Sequence, residues 1–91
     1  MYTPNKELIE LRFKESIDAY IALGRPTGGF LEAVISNDLK EAIGRADSEA
    51  LENIPHIVAY LYNDCPGNCW GSPKRYNEWL QKFHVTESIS E

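Results

Sequence analysis

The chain has little of what would assign it to a class at a glance. Two cysteines, Cys65 and Cys69, occur in 91 residues, too few for the disulfide framework of a small secreted domain. No apolar run approaches the roughly 20 residues of a membrane-spanning helix. The opening Met1-Tyr2-Thr3-Pro4-Asn5 lacks the pattern of a signal peptide, so a cytosolic protein without a membrane partner is expected. Positive charge is scarce: nine Lys and Arg stand against 14 Asp and Glu, a formal net charge of −5. General nucleic-acid binding draws on an excess of Lys and Arg, so the balance argues against it without excluding a local basic pocket. No segment alternates with period two for long enough to be a strand.

The composition that is present, 43% hydrophobic with 11% aromatic, belongs to a folded globular chain. A chain of this length forms one domain and buries roughly 60–65% of its unfolded surface, so its core is small and self-association would reinforce it. The expected fold is a single all-α domain over residues 1–91, a bundle of about four helices assembled as a homo-oligomer. Its core spans about residues 5–83, with a flexible tail over 84–91. The first two helices are the expected contact helices.

The helices are read from periodicity and punctuation. Thr3-Pro4-Asn5 starts a first helix over about residues 5–23, with Ile9, Phe13, Ile17, Tyr20 and Ile21 as its stripe and Leu8, Leu11 and Leu23 widening it. Gly24 closes it, and Pro26 prevents easy continuation. Thr27 caps a second helix over about residues 28–46, the centre of the domain. Leu31, Val34, Ile35, Leu39, Ala42, Ile43 and Ala46 recur along it at helical offsets. Asp47 caps a third helix with the stripe Leu51, Ile54, Val58 and Leu61, bent or restarted at Pro55 and ending near Asn63. The turn Asp64-Cys65-Pro66-Gly67-Asn68 follows. Ser72-Pro73 then starts a last helix docked by Tyr76, Trp79, Leu80 and Phe83.

Candidate site residues cluster in three places. Arg25, Thr27, Gly28 and Gly29 put a guanidinium, a hydroxyl and bare backbone at a helix start, where anions bind; the plain alternative is a turn between packed helices. The loop is not a P-loop, because the lysine, the Ser/Thr after it and the preceding strand are missing. Asn37, Asp38, Glu41 and Arg45 form a polar row, either a solvated face with a Glu41–Arg45 pair or a row of ligand readers. Tyr62 and Trp70 offer aromatic faces for a base, or plug the core; Tyr60 lies near enough to join either role. Arg25 and Arg45 would stand at opposite ends of one helix, about 25–30 Å apart. A pocket using both then forms only across an antiparallel pair of symmetry-related copies.

No cofactor is implied. Cys65 and Cys69 with His56 and His84 are a weak zinc pattern, since no paired histidine motif lies nearby, and no neighbouring sequence feature supplies Cys69 with an activating base. A metal-dependent nucleotide hydrolase built on Asp38, Glu41 and Asp47 is a further alternative, without a nucleophile–base pair to support it.

Five stretches carry a family likeness: Gly24-Arg25-Pro26-Thr27-Gly28-Gly29-Phe30-Leu31, Ala33-Val34-Ile35-Ser36-Asn37-Asp38-Leu39, Arg45-Ala46-Asp47, Tyr62-Asn63 and Cys69-Trp70-Gly71-Ser72-Pro73. In that order they resemble a family of small proteins from phages and prophages. The resemblance covers roughly residues 17–80. It implies an accessory protein acting in the cytoplasm of an infected or lysogenic bacterium, where many phage proteins of this size oppose host defence. The chain is similar in size and expected helical build to anti-CBASS and anti-Thoeris proteins that sequester cyclic nucleotide signals. The expected function is therefore non-catalytic sequestration of a small anionic ligand, a nucleotide immune signal. The alternative is inhibition of a host defence protein through a surface patch.

Overall fold

Polar side chains of the fourth helix seize the start of the described chain. In the computed structural model, which describes residues 5–89 and side chains from 5 to 83, Lys6–Leu8 is a 3-10 turn capped by Asn5. Five α-helices follow and no strand occurs among the described residues. They are α1 (Leu11–Leu23), α2 (Gly29–Ile35), α3 (Leu39–Arg45), α4 (Ser48–Asp64) and α5 (Pro73–Ile89), with a second 3-10 turn at Gly67–Cys69 before α5. The fold is all-α as expected, with five helices rather than about four. None is long and apolar enough to cross a membrane.

Two expected helices are shorter than their periodicity suggests. The first does not run from residue 5: the chain is extended at Ile9 and Glu10, and α1 begins at Leu11. The reason lies in α4, whose buried Asn53 accepts a hydrogen bond from the Glu10 amide (3.0 Å) and donates one to the Leu8 carbonyl (3.3 Å). One turn further on, His56 Nδ1 accepts from the Asn5 amide at 3.1 Å. These bonds replace the helical ladder that residues 5–10 would otherwise form.

The second correction matters more. The helix expected over residues 28–46 is broken into α2 and α3 by Ser36-Asn37-Asp38. Asn37 takes φ +62, the left-handed region that asparagine tolerates better than other side chains. Asp38 then caps α3, its carboxylate accepting the Glu41 amide at 3.3 Å. The two short helices fold back and pack on each other more extensively than any other pair of elements. Thr27 does not cap α2: Gly28 holds that position without a side-chain bond. Thr27 is bound instead to Tyr76 of α5, whose hydroxyl accepts its amide hydrogen at 3.1 Å.

Other punctuation falls where the sequence puts it. Gly24 ends α1 at φ +66, Asp47 caps α4 through the Ala50 amide at 2.7 Å, and Ser72 Oγ accepts the Arg75 amide at 3.1 Å at the start of α5. Helix α4 runs through Pro55 from Ser48 to Asp64. The backbone of α5 stays helical to Ile89, across most of the expected tail; Ser90 and Glu91 lie outside the described residues.

The core gathers around Tyr20, which is 0% exposed. Its ring stacks on Tyr76 with centroids 5.1 Å apart, and its hydroxyl donates to the Cys69 carbonyl at 2.7 Å. Phe13, Ile17, Leu31, Ile35, Ile57, Leu61 and Trp79 complete the packing.

Burial raises the acids around this core. The Cys65 thiol is pushed from 9.0 to about 12, first by desolvation and then by the charges of Cys69, Asp18 and Asp64. Cys69 also rises through burial. So do the phenols of Tyr20 and Tyr60, the latter helped by its hydrogen bond to Asp18. In the unfolded chain these groups ionise near 9.0 and 10.0. Between those values and the folded ones the unfolded chain holds fewer protons, so stability falls as pH rises. The urea midpoint should be flat from about pH 7 to 8 and fall steadily above about pH 9. The slope approaches about 1.4 kcal/mol per pH unit for each fully buried group, and is smaller for Tyr60 and Cys65, which solvent partly screens. A flat profile to about pH 11 would contradict this reading of the core.

Candidate functional site

Because α2 and α3 fold back on each other, residues expected at opposite ends of one helix come together. Arg45 lies against Gly29: a β-carbon there would stand 2.9 Å from Arg45 Nη1. The two residues, with Glu32, Ala33, Ser36, Asp38, Glu41 and Pro73, line a cleft of about 500 Å³. This single-copy cleft draws on the 24–31, 33–39, 45–47 and 69–73 stretches singled out in the sequence. The pairing of two copies invoked to join distant arginines is not required to bring Arg45 to the start of α2.

Its electrostatics do not favour an anion. Three carboxylates, from Glu32, Asp38 and Glu41, face one guanidinium. That guanidinium is already engaged, with Arg45 Nε donating to Glu41 Oε2 at 3.2 Å. Asp38 spends one oxygen on the cap of α3. A phosphate entering here meets a net negative lining. Asp47, grouped with Asp38 and Glu41 for a metal-dependent reaction, does not line the cleft; its carboxylate caps α4 and faces Arg12 at 3.6 Å. Among the described residues, no three His, Cys, Asp or Glu side chains gather as a metal ion would require. His56, one of the weak zinc candidates, uses Nδ1 on the Asn5 amide, and the His84 side chain lies outside the described residues.

The remaining candidates are scattered around this cleft. Arg25 and Gly28 are exposed and line neither the Gly29–Arg45 cleft nor the one between Tyr62 and Trp70. Thr27 faces Tyr76, its Oγ1 3.4 Å from the phenol oxygen. Asn37 lines a small crevice of about 70 Å³ between α3 and α4, with Leu39, Ala42, Ile54 and Val58 among its walls.

Tyr62 and Trp70 meet in a second cleft, of about 290 Å³, with Cys65, Gly67, Gly71 and Arg75. The local sequence explains how. Ser72 caps α5, which places Arg75 in the first turn, one step beyond the Gly67–Cys69 turn. Arg75 Nη1 donates to the Gly67 carbonyl at 3.1 Å and the Trp70 carbonyl at 3.3 Å, so the guanidinium ties the loop together from its open side. Gly71 sits at φ +114, a conformation that side chains rarely adopt, and its amide donates to the Ile35 carbonyl at 2.7 Å. The loop carrying Trp70 is thus fixed to α2 below and to Arg75 above. No carboxylate pairs with Arg75 among the described residues. Arg75 is exposed and lines the cleft with Tyr62 and Trp70. Both thiols of the region stay protonated at neutral pH, Cys65 beside the cleft and Cys69 beneath it at 0% exposure.

Arg75 is the residue that sequence reading missed. The signal was the Ser72-Pro73 start, which fixes the third residue after Ser72 in the first turn of a helix next to Trp70. No family model, curated protein or solved structure matches the chain.

Proposed function

We propose that this protein is a non-catalytic binder of a small ligand that joins a planar ring to an anionic group, working as an assembly of copies. The observation that carries the reading is Arg75: a guanidinium held in place by two carbonyls, unpaired with any carboxylate among the described residues, beside Tyr62 and Trp70. Aromatic faces stack on a nucleobase for about 1–3 kcal/mol each. The N–H groups that Arg75 has left over grip a phosphate through charge-assisted bonds. A space of about 290 Å³ lies at the small end of ligand pockets, enough for the ring and one phosphate. The raised thiols nearby favour binding over covalent chemistry, since the thiolate is the nucleophile.

A nucleotide is the ligand class with this chemistry. Following the resemblance to small phage proteins expected from the sequence, we infer a cyclic nucleotide immune signal, held rather than hydrolysed, inside an infected bacterium. Relative to the sequence reading, the anion moves from Arg25, Gly29 and Arg45 to Arg75, while Tyr62 and Trp70 keep their role.

Calorimetry with cyclic di- and trinucleotides tests this. Arg75→Ala should weaken binding by about 10–100-fold, the worth of a hydrogen bond to a charged group. Trp70→Ala should weaken it by about 10-fold or more. Arg45→Ala should leave it unchanged. Binding lost through Arg45 but not Arg75 would return the site to the acidic cleft. If the wild-type protein binds none of these ligands, the reading gives way to inhibition of a host protein.

A further inference from the structure

Helix α4 carries apolar residues on two sides, burying Ala50, Ile57 and Leu61 in the core. It also buries Asn53 and His56 and exposes Leu51, Val58 and Tyr62. Its inner polar residues are accounted for by the Asn5–Glu10 segment they hold, while Leu51, Val58 and Tyr62 stay exposed among the described residues. The outward residues Leu51, Pro55, Val58 and Tyr62 fall within one narrow stripe at 100° per residue, about 17 Å long. From Leu51 to Asn63 the stretch holds one acidic residue, Glu52, and no lysine or arginine, in a chain that is 25% charged.

The stripe continues on both sides. Leu39, on the exposed side of α3 with Ile43, shares the crevice between α3 and α4 with Val58. Val58 and Tyr62 line a shallow groove along α4 with Pro55, Ala59 and Asn63. Tyr62 then passes into the cleft with Trp70 and Arg75.

We propose that two copies of this chain pair through α4 in antiparallel fashion, and that the partner's Leu51 seats on Tyr62 and completes the wall of the Tyr62–Trp70–Arg75 cleft. The spacing four, three, four along Leu51, Pro55, Val58 and Tyr62 reads the same in both directions. A two-fold contact pairs residue i with j and j with i, and this spacing sets each residue of the stripe against another residue of the stripe. Antiparallel alignment sets Leu51 opposite the partner's Tyr62 and Pro55 opposite the partner's Val58. Ala59 beside the stripe leaves room for close approach. Scarce charge on this side means that two copies of a −5 chain meet here with little repulsion.

The area is adequate. Leu39, Ile43, Leu51, Val58 and Tyr62 are 66%, 47%, 46%, 37% and 78% exposed. Together they offer about 500 Å² of apolar surface, as large as the principal patch of a typical monomer. A stable pair buries about 800 Å² per partner, and the exposed Lys40, Glu52 and Asn63 are the residues available to contribute the remainder. The contact also explains how Tyr62, so exposed in one copy, could serve as a fixed wall. That part rests on the ligand reading given above; the pairing itself is measured without ligand.

Light scattering at about 100 μM, where an interface of this size is saturated, should give twice the 10.3 kDa chain mass. Leu51→Glu and Tyr62→Lys, each at an exposed position and each checked for retained helicity by circular dichroism, should give monomers. Mixed in equal amounts they should return to the paired mass, because antiparallel register sets the new glutamate against the new lysine. A monomeric wild type, a wild-type dimer indifferent to both substitutions, or a mixture that stays monomeric would each overturn the proposal. A dimer behaving as expected while wild-type calorimetry shows no nucleotide binding would leave the pairing standing and remove the ligand reading alone.

Discussion

Replacing Gly24 with alanine should lower stability by about 3 kcal/mol, the combined cost of a left-handed backbone and an overfilled contact. Gly24 ends α1 at φ +66, where a β-carbon is strained wherever it points. Here it would point into Phe83 of α5, 2.3 Å from Cγ and 2.7 Å from Cβ. Phe83 cannot swing clear by moving its ring tip alone, because its own β-carbon is among the clashing atoms. It also packs edge-on against Trp79, with centroids 6.0 Å apart. The cost therefore spreads into the docking of α5. For a domain of this size the melting temperature should drop by more than about 10 °C. Phe83→Ala in the Gly24→Ala background should recover the ring's share of the crowding and leave the β-carbon contact and the backbone part, a coupling that a double-mutant cycle reads directly. A loss below about 0.5 kcal/mol would mean that α5 does not sit on Gly24.

Tyr20 should prove the most sensitive side chain in the core. Tyr20→Ala removes a ring packed between Tyr76 and Trp79 and should cost about 4–5 kcal/mol. Tyr20→Phe keeps the ring and deletes the bond to the Cys69 carbonyl. It should still cost about 1–3 kcal/mol, because a buried acceptor is left without a partner. The two variants separate packing from hydrogen bonding at one position. They also bear on the site, since Cys69 precedes Trp70. With the Cys69 carbonyl released, the Trp70 loop keeps its ties to Ile35 and Arg75 but loses the one at its base. Urea titration of both variants measures the stability. Near-ultraviolet dichroism of Tyr20→Phe should show a weakened aromatic signal, and an unchanged spectrum with unchanged stability would contradict the role given to this bond.

Much of the architecture was legible because caps act locally. Gly24, Asp47 and Ser72-Pro73 mark helix ends through geometry that a few neighbouring residues decide. The break at Asn37 was legible too, in Asp38 followed three residues later by Glu41, but the apolar period across Leu31 to Ala46 argued the other way. That period misled because Leu39 and Ile43, read as core, are exposed, while Ala42 between them is buried. Periodicity finds an apolar face without saying what covers it. The same holds in α4, where Leu51 and Val58 were assigned inward and lie outward, while Asn53 and His56 take the inner side. No local pattern shows that two polar side chains will be buried to hold a segment more than 40 positions away. The cleft was half legible: Tyr62 and Trp70 announce themselves by type, whereas Arg75 joins them only through the course of the Gly67–Cys69 turn.

The most direct measurement is a nuclear magnetic resonance titration of labelled wild-type protein with a cyclic dinucleotide. It reports where the ligand sits as well as whether it binds. With the ligand in the Tyr62–Trp70–Arg75 cleft, the Trp70 indole N–H, the Tyr62 ring and the Arg75 guanidinium signals should move together and saturate, while the amides of Gly29 and Arg45 stay in place. Movement centred on Gly29 and Arg45, or no saturable movement at all, would contradict that placement.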